Sequence, residues 1–219
     1  LRGPILDLEN RIITAMPAIE HWLRSKWREH TVPFYCSVDL RNSGFKLAPV
    51  DTNLFPGGFN NLNPEFMPLC VQAMMNAIEK ICPDTQSVLL IPENHTRNTF
   101  YLQNIATLQD IMHQAGLNVR IGSLLPEITT ATTLDLPDGQ TITLEPLIRK
   151  NNVLSVKNFE PCAIILNNDL STGIPDILQD LNQAIIPPLH AGWATRRKSI
   201  HFSAYDQVAQ EFADLIGID

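Results

Sequence analysis

Apolar residues recur at helical spacing near the N-terminus of the chain. One set of them is separated by steps of three or four positions: Ile12, Met16, Ile19, Leu23 and Trp27. A stripe of this kind lies on one face of a helix and is buried against a core. The pattern predicts one long amphipathic helix over residues 5–30, which serves as scaffold.

Three later segments carry the same helical period together with signals for their ends. Asn63 and Pro64 supply an N-cap and a first-turn proline to a second helix, whose apolar stripe runs from Phe66 to Ile81. Thr96 or Asn98 is expected to cap a third helix that ends at Gly116. A last helical stripe runs over 205–216, with Gly217 as its C-terminal cap.

Short apolar runs alternate with these helices. Ser87–Pro92, Asn118–Gly122 and Cys162–Leu166 are predicted strands, and a further helix is predicted over Ile174–Leu181. Strands that alternate with helices pair in parallel, because each helix returns the chain to the same edge of the sheet. The pattern therefore predicts a parallel sheet with helices packed on its faces.

A tight turn interrupts this alternation. Asp138-Gly139 lies between two alternating segments, 132–137 and 140–145, and this dipeptide is typical of the turn of a tight hairpin. The hairpin is expected to be an insertion at the rim of the sheet. With no repeat, low-complexity tract or linker, we predict one domain over 1–219, a three-layer α/β unit with a hairpin insertion and a long N-terminal helix.

Composition narrows the class of protein. Of 219 residues, 44% are hydrophobic and 18% charged, which is typical of a folded globular chain. The net charge of −7 repels the phosphate backbone, so nucleic acid is not an expected partner. No apolar run is long enough to cross a membrane, no signal peptide is visible, and a cytoplasmic location is expected.

The cysteines show no metal-ligand or redox spacing. The four are Cys36, Cys70, Cys82 and Cys162. Unpatterned cysteines usually act as small apolar residues, so we expect free thiols in the core and predict no metal site.

The densest polar stretch runs from Ser37 to Asn63. Asp39 and Arg41 share one strand face by the period of two, and Lys46 follows the turn at Gly44. An amino acid carries both an ammonium and a carboxylate, and such a mixed set would bind both, with Arg holding the carboxylate and Asp accepting from the amine. A structural ion pair is the alternative.

A loop rich in Gly and Asn leads from this stretch into the second helix. Its candidate binding residues are Asp51, Asn53, Asn60 and Asn61, and two glycines lie between them, at 57–58. Exposed backbone amides before a helix can hold an anion, although an Asn-rich turn with only local bonds is the alternative. Neither the dinucleotide nor the P-loop glycine pattern is present.

Polar residues also follow two of the predicted strands. Glu93 and Arg97 come after the first, and Asn168 comes after the third. Ligands of open α/β sheets bind at the carboxyl ends of the strands, which favours a site here over simple helix capping. We expect one cluster at the carboxyl edge of one sheet, made of Asp39, Arg41, Asp51, Asn53, Glu93, Arg97 and Asn168.

The chain has one basic cluster, formed by Arg196, Arg197 and Lys198. Three cations in the first turn of a helix oppose its dipole, which favours an external anion such as a phosphate or carboxylate over a solvated helix end. No spacing of His190 with a thiol supports a nucleophile or a zinc site. No catalytic residue is assigned.

Several of these motifs together resemble one family. The chain is similar to the N-terminal half of the proteobacterial glutamate–cysteine ligases of the Thiobacillus type. The resemblance rests on FYCSVDLRNSGFKLAPVDTNLFPGGFNNLNP from Phe34, LIPENHTRNTFYLQN from Leu90, ILNNDLSTGIPDIL from Ile165 and PPLHAGWATRRKSIHF from Pro187. These strings cover most of the chain, and the hairpin region is the least distinctive.

The resemblance implies the first step of glutathione biosynthesis. ATP, with Mg²⁺, would activate the side-chain carboxylate of glutamate as an acyl phosphate, and the amine of cysteine would attack it. The resemblance also implies a pre-ATP-grasp-like fold for this chain and an ATP-grasp-like C-terminal half as its partner. That half would provide most of the contacts to ATP and Mg²⁺. The 219 residues alone are therefore expected to be inactive. A non-catalytic α/β module that binds a small anion or amino acid is the alternative.

Overall fold

The structure is a computed structural model that describes residues 3–44, 47–81, 84, 86–95 and 97–218. Contacts within the chain group it into two compact units, where the sequence predicted a single domain. Unit 1 comprises Leu1–Asn53 with Arg196–Asp219, and unit 2 comprises Leu54–Thr195.

The elements alternate along the chain as the periodicity indicates. The helices are α1 (Pro4–Thr14), α2 (Met16–Glu29), α3 (Met67–Ile81), α4 (Thr99–Gln114) and α5 (Lys198–Ile216). The strands are β1 (Ser37–Asn42), β2 (Leu47–Asn53), β3 (Ser87–Pro92), β4 (Asn118–Ser123), β5 (Thr132–Asp135), β6 (Thr141–Pro146), β7 (Ile148–Lys150), β8 (Val153–Ser155), β9 (Ala163–Asn167) and β10 (Ala184–Ile186). None of the helices described here is both long and apolar enough to cross a membrane.

Unit 2 is built on a six-stranded sheet in the order β10-β9-β3-β4-β6-β5. Every neighbouring pair is parallel except β5 and β6, which form the antiparallel hairpin. β3 and β9 lie in the interior, and all five residues of β9 are buried. Such unbroken apolar strands are typical of a parallel sheet covered on both faces.

Two layers cover the sheet. α4 packs against β4 and β6 and buries seven of its residues. On the other face Leu89, Ile91 and Ile164 pack with Leu154 of the β7–β8 hairpin and Leu178 of a short 3₁₀ helix. The predicted mixed α/β class is confirmed, and the second layer consists largely of a hairpin and short turns.

The N-terminal helical region differs from the prediction of one long helix. The chain forms two helices, α1 and α2, which meet at Ala15. Pro17 is the cause, because proline has no N–H to donate to the carbonyl of Ile13 and its ring crowds that carbonyl.

The predicted helix over Ile174–Leu181 is wrong. Only a three-residue 3₁₀ helix, Asp176–Leu178, is present. Pro175 fixes its own φ and biases the preceding residue toward extended backbone, and Asp180 adopts a positive φ of 52° that ends the turn.

Other predicted helix caps and turns agree with the structure. Asn98 caps α4 by accepting a hydrogen bond from Tyr101 N at 3.2 Å, whereas Thr96 lies outside the described residues. Asn63 accepts from Glu65 N at 3.0 Å, although the turn it caps is a 3₁₀ helix that precedes α3. Gly139 has the positive φ, 82°, that the predicted hairpin turn needs.

The apolar stripe of α3 is wider than the surface that the helix buries. Met74 and Ile78 are buried, but Phe66 is 55% exposed and Leu69 60% exposed. The helical spacing of apolar residues therefore predicted the position of the helix correctly, but it predicted a wider buried face than the structure shows.

The three cysteines that the structure describes are free thiols, but none of them is buried in the core, where the sequence predicted them. Cys36 and Cys162 are exposed, Cys70 is half-buried, and Cys82 lies outside the described residues. The hydrogen bond between Ser87 Oγ and Cys162 Sγ, 3.2 Å long, lowers the pKa of the Cys162 thiol.

Unit 1 combines the helices α1, α2 and α5 with the antiparallel β1–β2 hairpin. Trp22 and Phe212 place their ring centroids 5.8 Å apart, and Lys26 Nζ lies 2.6 Å from Glu211 Oε2. These contacts join α2 to α5. The C-terminal helix begins at Lys198, before the predicted apolar stripe over 205–216, and ends as predicted at Gly217, which has a φ of 70°.

The side chain of Gln183 forms hydrogen bonds between the β7–β8 hairpin and the segments that lead into β9 and β10. Gln183, just before β10, accepts from Leu154 N at 2.6 Å. Its amide group donates to Leu154 O at 2.8 Å and to Pro161 O at 2.8 Å. One side chain therefore satisfies three backbone groups that no ladder pairs.

We predict that Gln183→Ala lowers the free energy of unfolding by about 1–3 kcal/mol, because part-buried backbone groups lose their partner. Urea unfolding of the chain measures this change. Gln179→Ala is the matched control, since Gln179 is exposed and bonds only its own turn; it should change stability by less than about 0.5 kcal/mol. Equal effects of the two substitutions would contradict the prediction.

Candidate functional site

The carboxyl ends of β3 and β9 carry the polar residues that the sequence placed at a sheet edge. Pro92 pairs with Asn167 in the parallel register of the two strands. Glu93 follows β3 directly, and Asn168 and Asp169 follow β9. Because the two strands are neighbours, these residues lie side by side in unit 2.

Glu93 bridges the two strand ends. Its Oε1 atom accepts a hydrogen bond from Asp169 N at 2.6 Å, and its own N–H donates to Tyr101 Oη at 2.7 Å. Burial raises the pKa of the Glu93 carboxyl; the bond from Asp169 N opposes this rise, and the negative charge of Asp169 adds to it. The edge therefore holds a half-buried carboxylate near a second one.

Two buried asparagines support this edge. Asn168 donates from Nδ2 to Pro92 O at 3.1 Å and accepts from Leu170 N at 3.0 Å. Asn167 donates from Nδ2 to Pro56 O at 2.8 Å. Asn168 was a predicted ligand contact; in the structure its side chain bonds backbone groups and supports the loop that follows β9.

The segment around Trp193 packs on the same edge, and sequence reasoning did not place it there. Trp193 N donates to Asp169 O at 2.8 Å. Gly192 is buried, and a Cβ atom at that position would lie 3.0 Å from Asp169 O and 3.0 Å from Leu170 Cβ. This close approach is the physical reason for glycine in the His190–Trp193 segment.

The remaining predicted residues of unit 2 are more exposed. Arg97 is exposed in the turn before α4. Asn60 and Asn61 are exposed, and Asn61 N donates to Gly58 O at 2.9 Å, as a residue in a local turn does. His95 packs edge-on to Tyr101, with ring centroids 5.7 Å apart.

The predicted residues of the polar stretch up to Asn53 lie in unit 1. β1 and β2 form their own two-stranded sheet, in which Asp39 pairs with Asp51 and Ser37 with Asn53. Asp39 and Arg41 are exposed, and Lys46 lies outside the described residues. The expectation that these residues share one sheet edge with Glu93 is wrong, because an antiparallel hairpin satisfies its strands locally and does not join the parallel sheet.

The basic cluster engages the same hairpin within unit 1. Lys198 Nζ lies 2.9 Å from Asp51 Oδ2. Arg196 Nη2 donates to Thr52 O at 3.0 Å and to Thr52 Oγ1 at 2.9 Å. Arg197 is exposed at the N-cap of α5. Arg196 and Lys198 thus bond the hairpin. These contacts explain two of the cations near the start of α5 without an external anion.

A shallow pocket lies beside these contacts. Its lining residues are Pro49, Val50, Asp51, Thr52, His201, Phe202 and Tyr205. His201 Nε2 lies 3.1 Å from Thr52 Oγ1. The pocket is largely apolar and sits between β2 and α5 of unit 1.

Chemically, the edge at Glu93 suits a cation better than an anion. The negative charges of Glu93 and Asp169 interact there, and an ammonium would offset them. Among the residues that the structure describes, no three His, Cys, Asp or Glu side chains are grouped closely enough to hold a metal ion.

Comparison with known proteins identifies the class to which this α/β chain belongs. The family described as "GshA: Glutamate-cysteine ligase" matches residues 9–219. The chain therefore belongs to the glutamate–cysteine ligase family. No curated protein sequence matched the chain.

One solved structure is similar over nearly the whole chain. It is a Methylobacillus flagellatus KT protein that carries the name gamma-glutamylcysteine synthetase as a provisional assignment. The two chains share 69% identity with a TM-score of 0.95 over 99% of this chain. The aligned part is 51% of the Methylobacillus chain, so this chain spans about half the length of that relative.

We predict that Glu93→Gln raises the free energy of unfolding near pH 7 and has little effect near pH 4. A carboxyl whose pKa is raised above its ordinary 4.5 binds more protons in the folded state than in the unfolded state. Stability therefore falls as the pH rises through the window above 4.5, and glutamine removes that fall while it still accepts from Asp169 N.

Urea unfolding of both chains at several pH values measures this difference. Glu127→Gln is the matched control, because Glu127 is exposed. A Glu93→Gln chain whose stability follows the pH curve of the unsubstituted chain would contradict the assignment.

Proposed function

We propose that this chain is the N-terminal part of an ATP-dependent glutamate–cysteine ligase, the enzyme of the first step of glutathione biosynthesis. The observation that carries the proposal is the family match over residues 9–219. The 69% identity to the Methylobacillus protein supports it. A cytoplasmic location is part of the same proposal.

The proposed reaction has two steps. The side-chain carboxylate of glutamate takes the γ-phosphoryl group of ATP, which forms an acyl phosphate and releases ADP. The amine of cysteine then attacks the acyl carbon, the C–N bond forms, phosphate leaves, and the amine gives up a proton. The acyl phosphate is needed because a free carboxylate is a poor acceptor for an amine.

The role proposed for this chain is to bind and orient amino-acid substrate. At the edge of unit 2, Glu93 and Asp169 offer oxygens to an ammonium, and binding of that cation would lower the raised pKa of Glu93. Arg41 and Arg97 are exposed, and a guanidinium holds a carboxylate through two parallel bonds. Since the described residues group no metal ligands, we assign no step to Mg²⁺ held by them.

The proposed partner of this chain is an ATP-grasp-like C-terminal half. About half of the Methylobacillus chain lies outside the aligned part, which leaves room for such a portion. In this proposal the C-terminal half binds ATP with Mg²⁺, and the described chain presents the amino acid to it.

We predict that the full-length protein forms γ-glutamylcysteine and releases ADP when given ATP, magnesium, glutamate and cysteine. The 219-residue chain alone should fold and show no turnover, because phosphoryl transfer needs a nucleotide clamp that we do not find in its sequence. Coupled ADP release and mass spectrometry of the product measure both. Comparable rates for the two proteins would overturn this division of labour.

If the full-length protein releases no ADP yet binds glutamate by calorimetry, the ligase proposal fails. A non-catalytic amino-acid-binding module would then describe the chain better. This outcome separates binding from catalysis in one set of samples.

We predict that Arg41→Ala or Arg97→Ala in the full-length protein weakens kcat/KM for glutamate or cysteine. Loss of a charge-assisted carboxylate contact is worth about 1.5–3 kcal/mol, or roughly 10- to 150-fold in rate. Melting temperature should change little, since both side chains are exposed. Arg28→Ala, an exposed arginine on α2, is the control, and kinetics as in the control for both variants would assign these arginines no part in binding.

A further inference from the structure

A short loop at the edge of unit 2 is held at both of its ends by buried amides. Asn167 Nδ2 donates to Pro56 O at 2.8 Å, and Phe59 N donates to Asn104 Oδ1 at 2.9 Å. Asn167 and Asn104 are each only 2% exposed. We call residues Pro56–Phe59 the clamped loop.

Two glycines lie between these anchored ends. Gly58 has a φ of 85°, a conformation that favours glycine. Gly57 is exposed, and a Cβ atom there would meet nothing within 4 Å. The loop therefore has fixed ends, and the space on the Cβ side of Gly57 is open.

Asn167 also connects the clamped loop to the edge at Glu93. Tyr101 Oη donates to Asn167 O at 2.7 Å and lies 3.1 Å from Asn167 Oδ1. The same hydroxyl accepts from Glu93 N at 2.7 Å. A chain of hydrogen bonds thus runs from Glu93 through Tyr101 and Asn167 to Pro56.

A substitution of Asn167 would act mainly through these hydrogen bonds. A buried carbonyl that loses its donor has no water to replace it, so the backbone must move to find another partner. Pro56 O is the acceptor at risk, and movement there displaces the two glycines next to it.

We propose that Asn167 is a positioning residue of the ligase. It sets the clamped loop against the edge at Glu93, so that the glycine peptide N–H groups are held ready for an anionic group of a substrate, either a carboxylate or a phosphate. The inference rests on the proposed function, and it assigns Asn167 no contact with the reacting atoms.

The test uses Asn167→Asp in the full-length protein, since this change keeps the size and the acceptor and removes the donor to Pro56 O. We expect KM to rise by at least about tenfold, because small displacements of binding groups cost that much or more. A rise for glutamate or cysteine identifies a carboxylate as the anion, and a rise for ATP identifies a phosphate.

Two controls separate positioning from general loss of stability. Gln183→Ala removes bonds in the hairpin layer and should leave every KM unchanged at a temperature where the protein is folded. Asn118→Asp makes the same chemical change at an exposed position, at the start of β4, and should have no effect. If Asn167→Asp leaves KM for all three substrates as in these controls, the inference is overturned.

Hydrogen exchange gives a readout that does not depend on activity. Peptides covering 54–62 should exchange faster in Asn167→Asp than in the unsubstituted protein, whereas Gln183→Ala should leave them unchanged. Unchanged exchange in Asn167→Asp overturns the inference. An unsubstituted protein without ligase activity overturns the proposed function instead, and exchange alone then decides whether Asn167 holds the loop.

Should Asn167→Asp fail to fold, Tyr101→Phe tests the same chain of bonds with a smaller change. It removes the hydroxyl that joins Glu93 N to Asn167 O and keeps the ring. Faster exchange over 54–62 together with a raised KM supports the inference, and the absence of either change overturns it.

Discussion

The parallel pairing of β3 with β9 is the interaction on which the rest of unit 2 depends. Both strands are buried along almost their whole length, so burial of apolar surface on two faces fixes their register. That register puts Pro92 opposite Asn167. The residues that follow, Glu93 on one strand and Asp169 on the other, are brought together as a consequence.

The buried polar side chains at this edge are tolerated because they form hydrogen bonds within the protein. Asn167 and Asn168 are almost fully buried, and each satisfies backbone groups that leave the sheet ladder. Buried networks of this kind stabilise a structure only when their members are paired, and they then specify one arrangement. The same network places Glu93 in partial burial, which raises its pKa.

Unit 1 uses charge in a different way. Lys198 and Arg196 bond to Asp51 and Thr52 on the β1–β2 hairpin, so residues that looked like ligand contacts tie α5 to β2. Exposed ion pairs contribute little stability by themselves. Their effect here is to set the position of the hairpin relative to the C-terminal helix.

Local signals in the sequence determined the elements themselves. The strands at Ser87–Pro92 and Cys162–Leu166, the cap at Asn98 and the turn at Asp138-Gly139 depend on neighbouring residues only, and the structure confirms them. Pro17 and Pro175 were visible too, and their effect on the flanking backbone outweighed the apolar period. Family membership likewise followed from strings of consecutive residues.

Only the tertiary structure decided which polar residues meet. Asp39 and Glu93 are equally plausible ligand contacts in the sequence, yet one lies in an antiparallel hairpin of unit 1 and the other at the parallel sheet of unit 2. Asn167, Tyr101 and Pro56 are far apart along the chain, and no local pattern predicts their bonds. The physical reason is that strand order and register arise from burial summed over the whole core, which no short segment encodes.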